Sequence, residues 1–89
     1  MNQINLSNRN AIVTGGARGI GYAIAQRLLQ SGARVSIWDM DAQAATEAQK
    51  ALSEFGTVEA QTVELTAAAA VTAATESTIA ALGPIDILC

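Results

Sequence analysis

The chain has 89 residues, room for one small domain, read as a single unit over residues 1–89. About half of it is apolar (51%), only 3% is aromatic and the formal net charge is −3; a disordered chain is excluded, and a basic nucleic-acid surface has no residues to build it. Histidine is absent and Cys89 is the one cysteine, which excludes Cys/His zinc sites, histidine-based catalysis and an intrachain disulfide.

The opening Met1-Asn2-Gln3-Ile4-Asn5 has no basic region followed by an apolar core, so no secretory signal is expected. No apolar run reaches membrane-spanning length. The expected setting is cytoplasmic, without a membrane or nucleic-acid partner. Residues 11–14 then read as a buried strand. Residues 19–31 read as a helix, with Ile20, Ala23, Ile24 and Leu28 on its inner face and Gly32 just past its end. Residues 33–39 form a second strand, in which Val35 and Ile37 alternate against Arg34 and Ser36. Asp41 is placed to cap a second helix to residue 55, with Ala45, Ala48, Leu52 and Phe55 at helical spacing and Gly56 as its stop. A weakly patterned third strand covers residues 57–65. Thr66 is placed to cap a third helix to residue 82, with Val71, Thr75, Ile79 and Leu82 inward, and Gly83-Pro84 ends it. Residues 85–88 begin a fourth strand.

The sequence thus alternates β-α-β-α-β-α-β, the pattern of an α/β fold with a parallel sheet and helices on its faces. Right-handed crossovers predict the strand order 3-2-1-4, the N-terminal half of a Rossmann-type doubly wound sheet. In that order the chain reverses direction across the sheet at the carboxyl end of the first strand. A ligand is expected there.

The segment Thr14-Gly15-Gly16-Ala17-Arg18-Gly19-Ile20-Gly21 lies at that point, between the first strand and the first helix. Glycines let a backbone turn tightly and approach a pyrophosphate with no Cβ in the way. The first helical N–H groups have no partner within the helix and face the anion. An ordinary strand-to-helix connection is the bland alternative. Asp39, 18 positions after Gly21 at the end of the second strand, matches the placement of the acid in a dinucleotide-binding fingerprint. No Gly-Lys-[Ser/Thr] follows the turn, which argues against a P-loop.

The spacing T-G-x-x-x-G-x-G closely resembles the glycine motif of the short-chain dehydrogenase/reductase family. Leu6-Ser7-Asn8-Arg9-Asn10 before Ala11-Ile12-Val13-Thr14 looks like the family's opening strand, and Gly32-Ala33-Arg34-Val35 like its entry to the second. Glu64-Leu65-Thr66 is similar to the family's D-x-T. Gly83-Pro84-Ile85-Asp86-Ile87-Leu88 looks like the G-x-[IL]-D-[IV]-L that leads into N-N-A-G. The likeness is strongest to 3-oxoacyl carrier-protein reductases and sugar or alcohol dehydrogenases. It implies the N-terminal, cofactor-binding fragment of an oxidoreductase that interconverts a hydroxyl and a carbonyl by hydride transfer. A stand-alone dinucleotide- or adenosine-binding module without chemistry, or a degenerate gene product, is the alternative.

On this resemblance Gly15 forms the tight turn, Gly19 admits the pyrophosphate, the Ile20 amide donates to it, and Gly21 lets the helix pack on the first strand. Arg18 lies along the phosphates or the adenosine ribose, or else is a solvated loop arginine. Asp39 accepts the adenosine ribose hydroxyls and repels a 2′-phosphate: two unit charges about 4 Å apart interact by about 4 kcal/mol at a surface-like dielectric. With no Lys or Arg at Met40, Asp41 or Ala42, NAD is expected over NADP. Glu64 stands where the family usually places an aspartate against adenine, and Leu65 offers a backbone amide there. Trp38 either flanks adenine or packs. Thr66 reads as a cap before a ligand, and Cys89 as incidental.

The family's catalytic serine and Y-x-x-x-K pair have no counterpart. The sole tyrosine, Tyr22, is followed four residues later by Gln26, and the sole lysine, Lys50, lies on the second helix. No catalytic and no metal-ligating residue is assigned, and the fragment alone is expected to be inactive. The parent enzyme is expected to be a homo-oligomer. The fragment's fourth strand is an apolar edge through which it is expected to self-associate.

Overall fold

The computed structural model describes residues 8–89; Leu6 and Ser7 of the opening motif lie outside them. Four parallel strands, β1 (Asn10–Thr14), β2 (Arg34–Asp39), β3 (Val58–Thr62) and β4 (Ile87–Leu88), form one sheet in the order β3-β2-β1-β4, as the crossover rule predicts. The register pairs Thr14 with Trp38 and Asp39 with Thr62, so the first three strands end together at one edge.

Alternation along the strands assigns the two faces of the sheet. Ala11, Val13, Val35 and Ile37 meet Ala25 and Leu29 of helix α1 (Gly19–Gln30) and Ala48 and Leu52 of helix α2 (Ala42–Leu52). Ile12, Trp38 and Val63 meet Ala74 of helix α3 (Ala68–Leu82) on the other face. The sheet is therefore wound on both sides, with two helices on one face and one on the other.

Two helices are rotated by about one residue from the expected faces. In α1 the sheet-facing row is Gly21, Ala25 and Leu29, while Ile20 is 81% exposed and Ile24 also faces out. The cause is Gly21: a Cβ there would overlap the Gly15 carbonyl, so the helix settles with its smallest residue against the turn. In α3 the buried row is Ala74, Thr78 and Leu82, and Ile79 is exposed.

Polar bonding sets the rotation of α3. The Trp38 indole N–H donates to Ser36 Oγ (3.1 Å) and Thr78 Oγ1 (3.2 Å). Both hydroxyls also donate to Glu59 Oε1, at 2.5 Å from Ser36 and 3.2 Å from Thr78. Ser36, expected opposite the core, is consequently buried beneath α3.

Caps and ends differ in detail. Asp41 caps α2 as expected, its Oδ1 accepting the Ala44 N–H at 3.1 Å. Residues 53–55 tighten into a 3₁₀ turn instead of continuing the α-helix. Thr66 does not cap α3: Ala67 holds that position, and the Thr66 hydroxyl donates to Glu64 Oε1 at 3.1 Å. Asn10, unremarked in the sequence, ties α3 to β1. Its Nδ2 donates to the carbonyls of Leu82 (2.9 Å) and Pro84 (2.8 Å). No helix among the described residues is long and apolar enough to cross a membrane.

Candidate functional site

The site grows from the carboxyl end of β1. Gly15 takes a left-handed φ of +65° and donates its N–H to the Trp38 carbonyl at 2.7 Å, which fastens the turn to β2. A side chain on Gly16 would press on Ile37 (2.9 Å) and on the Val13 carbonyl (3.1 Å), a constraint that the spacing of the motif does not announce. Gly19 opens α1 at φ +57°. A Cβ on Gly15 or Gly19 would meet nothing within 4 Å, so the surface above the turn is open to a ligand.

The first bond of α1 runs from the Tyr22 N–H to the Arg18 carbonyl at 3.2 Å. The preceding amides of Gly19, Ile20 and Gly21 have no carbonyl one turn earlier in the helix to bond, and they crown the glycine turn with donors. Gly21 itself packs against Gly15 and Gly16 of the turn, just beyond the strand on which the sequence placed it.

A cleft of about 410 Å³ lies beside the turn, lined by Gly15, Trp38, Asp39, Met40 and residues 63–66. It brings Asp39, Glu64 and Leu65 together with Gly15. The Val63 N–H bonds to the Asp39 carbonyl at 3.0 Å, which carries the end of β3 into the cleft wall. Asp39 Oδ1 accepts the Asp41 N–H at 3.0 Å, and Oδ2 has no protein donor among the described residues. Trp38 contributes to the wall but is itself buried, so its principal place is the core.

Arg18 stands apart from this cleft. Its guanidinium bonds to Asp41 Oδ2 at 2.5 Å in a neighbouring groove between α1 and α2, with both side chains partly in solvent. Neither of the two readings of Arg18 from sequence anticipates this partner. The Ala44 N–H, foremost, holds the Asp41 carboxyl below its ordinary value; partial loss of water opposes the shift, and the Arg18 charge and Gln43 N–H reinforce it. Tyr22 lines the same groove, on α1, and Lys50 sits on α2; the cleft beside the glycine turn includes neither. Among the described residues no group of His, Cys, Asp and Glu is placed to hold a metal ion.

The surroundings suit a dinucleotide on structural grounds: an open glycine turn crowned with donors adjoins a cleft holding a carboxylate with a free oxygen. The nicotinamide half of the site has no wall among these residues.

The short chain dehydrogenase family model matches residues 9–89. The chain is 42% identical over 84 residues to a 2-dehydro-3-deoxy-L-rhamnonate dehydrogenase (NAD(+)) of Sphingomonas, covering 92% of this chain and 32% of that protein. Among solved structures, the RhlG/NADP active-site complex of Pseudomonas aeruginosa superposes with a TM-score of 0.89 at 38% identity, covering 97% of this chain and 35% of that one. A 7α-hydroxysteroid dehydrogenase complexed with NADH and 7-oxo glycochenodeoxycholic acid gives 0.92 at 31% identity, covering 97% and 34%. The chain thus spans about a third of the length of the proteins it resembles. A family match over nearly the whole sequence, on a sheet of matching topology with its glycine turn at the carboxyl edge, makes this chain a member of the short-chain dehydrogenase family.

Proposed function

We propose that this chain binds the adenosine diphosphate half of a nicotinamide dinucleotide, NAD in preference to NADP. It serves as the cofactor-binding portion of an oxidoreductase that interconverts a hydroxyl and a carbonyl. The observation that carries the reading is the juxtaposition of the α1 amides with Asp39 at one edge of the sheet. The amides of Gly19 and Ile20 hold the pyrophosphate, and Gly15 and Gly19 let it approach. Asp39 accepts the ribose hydroxyls, while Glu64 and the Leu65 amide meet the adenine. When bound, the nicotinamide ring supplies hydride transfer. Among the described residues none is positioned to move the accompanying proton, and the chain alone is expected to be without turnover.

The test is titration of the isotope-labelled chain with NADH, followed by amide chemical shifts. Saturable shifts at Gly15, Gly19, Ile20, Gly21, Asp39 and Leu65 are expected, with no NADH oxidation across a panel of carbonyl compounds. A folded chain that shows no saturable shift at those amides would overturn the reading.

A further inference from the structure

The relation of Arg18 to Asp41 adds a residue to the question of which dinucleotide fits. The two meet at 2.5 Å in the groove of about 490 Å³ between α1 and α2, which Gln43 and Glu47 also line. Asp41 is fixed to the ribose cleft, because its N–H bonds to Asp39 Oδ1 at 3.0 Å. Its two carboxyl oxygens have separate duties: Oδ1 caps α2 through the Ala44 N–H, and Oδ2 takes the guanidinium. Arg18 is the one cation lining either the groove or the cleft, among the described residues. A guanidinium recognises a phosphate through its charge and its N–H donors, and Arg18 has its Nη2 and part of its charge committed to the Asp41 carboxylate.

We propose that Asp41 is a second specificity-determining residue: by engaging Arg18 it holds in the adjoining groove the one guanidinium that lines either hollow, and so keeps it from a 2′-phosphate. NADP is then refused twice, by repulsion from Asp39 and by the loss of the attraction that Arg18 would otherwise supply. This inference rests on the dinucleotide reading above. It differs from that reading in placing part of the discrimination outside the ribose cleft, in an ion pair that touches no hydroxyl.

The experiment compares NAD with NADP, which differ only by the 2′-phosphate, by calorimetry on the full chain. Asp41→Asn keeps an acceptor for the cap and removes the charge; Asp41→Ser does the same with a shorter side chain. Either variant is expected to raise the affinity for NADP relative to NAD about fivefold, the scale of a partly exposed ion pair. Adding Arg18→Gln to Asp41→Asn returns the ratio to its original value, and Arg18→Gln alone leaves the ratio unchanged. An unchanged ratio in both Asp41 variants, with helix content retained by circular dichroism, overturns the proposal and leaves the dinucleotide reading intact. Failure of the unsubstituted, folded chain to bind either nucleotide overturns the dinucleotide reading, and the inference with it.

Discussion

The carbonyl of Trp38 accepts the amide of Gly15 at 2.7 Å. Through this bond the glycine turn hangs from the strand that ends in Asp39, and the Trp38 indole is held in turn by Thr78 of α3 (3.2 Å). One residue therefore links the glycine turn, the acidic strand end and the helix behind them.

Replacement of Thr78 by Val tests that link. It removes a hydroxyl shared by the Trp38 indole and Glu59, and is expected to cost about 1–3 kcal/mol of stability. Urea unfolding followed by the fluorescence of Trp38, the sole tryptophan, measures the loss.

Gly21→Ala is a stronger insult. The added methyl overlaps the Gly15 carbonyl, a backbone atom that cannot swing aside. Overpacking of this kind costs about 1–3 kcal/mol. It also displaces the turn, so NADH binding measured by calorimetry falls with stability. Gly19→Ala separates the two effects: space is open there, and the cost comes from the positive φ alone.

Asp39→Ala removes the acceptor proposed for the ribose. A lost hydrogen bond to a charged group is worth about 1.5–3 kcal/mol, so NADH affinity is expected to fall at least about tenfold. The fold is expected to be retained, because among the described residues the side chain of Asp39 bonds only the Asp41 amide. Equal affinity in the variant would remove Asp39 from the site.

The lowered pKa of Asp41 fixes the sign of an acid response. A carboxyl depressed in the folded state adds stability above its unfolded value of about 3.8, and that contribution disappears as pH falls through the lower folded value. Between pH 5 and pH 2 the unfolding midpoint of the chain is expected to drop further than that of Asp41→Ala. Parallel pH profiles would show that the carboxyl is indifferent to folding.

Among the described residues the outer strand β4 pairs only with β1, and it exposes Leu88 to 71%. An apolar, unpaired edge favours association. Leu88→Lys is expected to shift the chain toward monomer in sedimentation velocity, with the helix content unchanged.

The fold was legible because it is written in periods and punctuation. Gly15, Gly32 and Gly83 take the left-handed conformations their places require, and alternating apolar runs gave the strands and their order. The helix rotations were not legible. Ile20 and Ile24 of α1 and Ile79 of α3 present the obvious apolar rows, yet close packing at Gly21 and polar bonding at Thr78 turn those rows outward. In the site, Gly15 and Asp39, picked out by spacing, and Glu64 and Leu65, picked out by resemblance, line one cleft. The Arg18–Asp41 pair could not be found either way, since a turn and a helix cap meet there across 23 positions of sequence. Ser36 reads as a solvent-facing residue until α3 is known to cover it.

The contact between Gly21 and Gly15 has a thermodynamic corollary. A loop wedged against its own helix has little freedom left to surrender to the proposed pyrophosphate. Its donors are preorganised, so the entropy of ordering them is met during folding and not at the moment of capture.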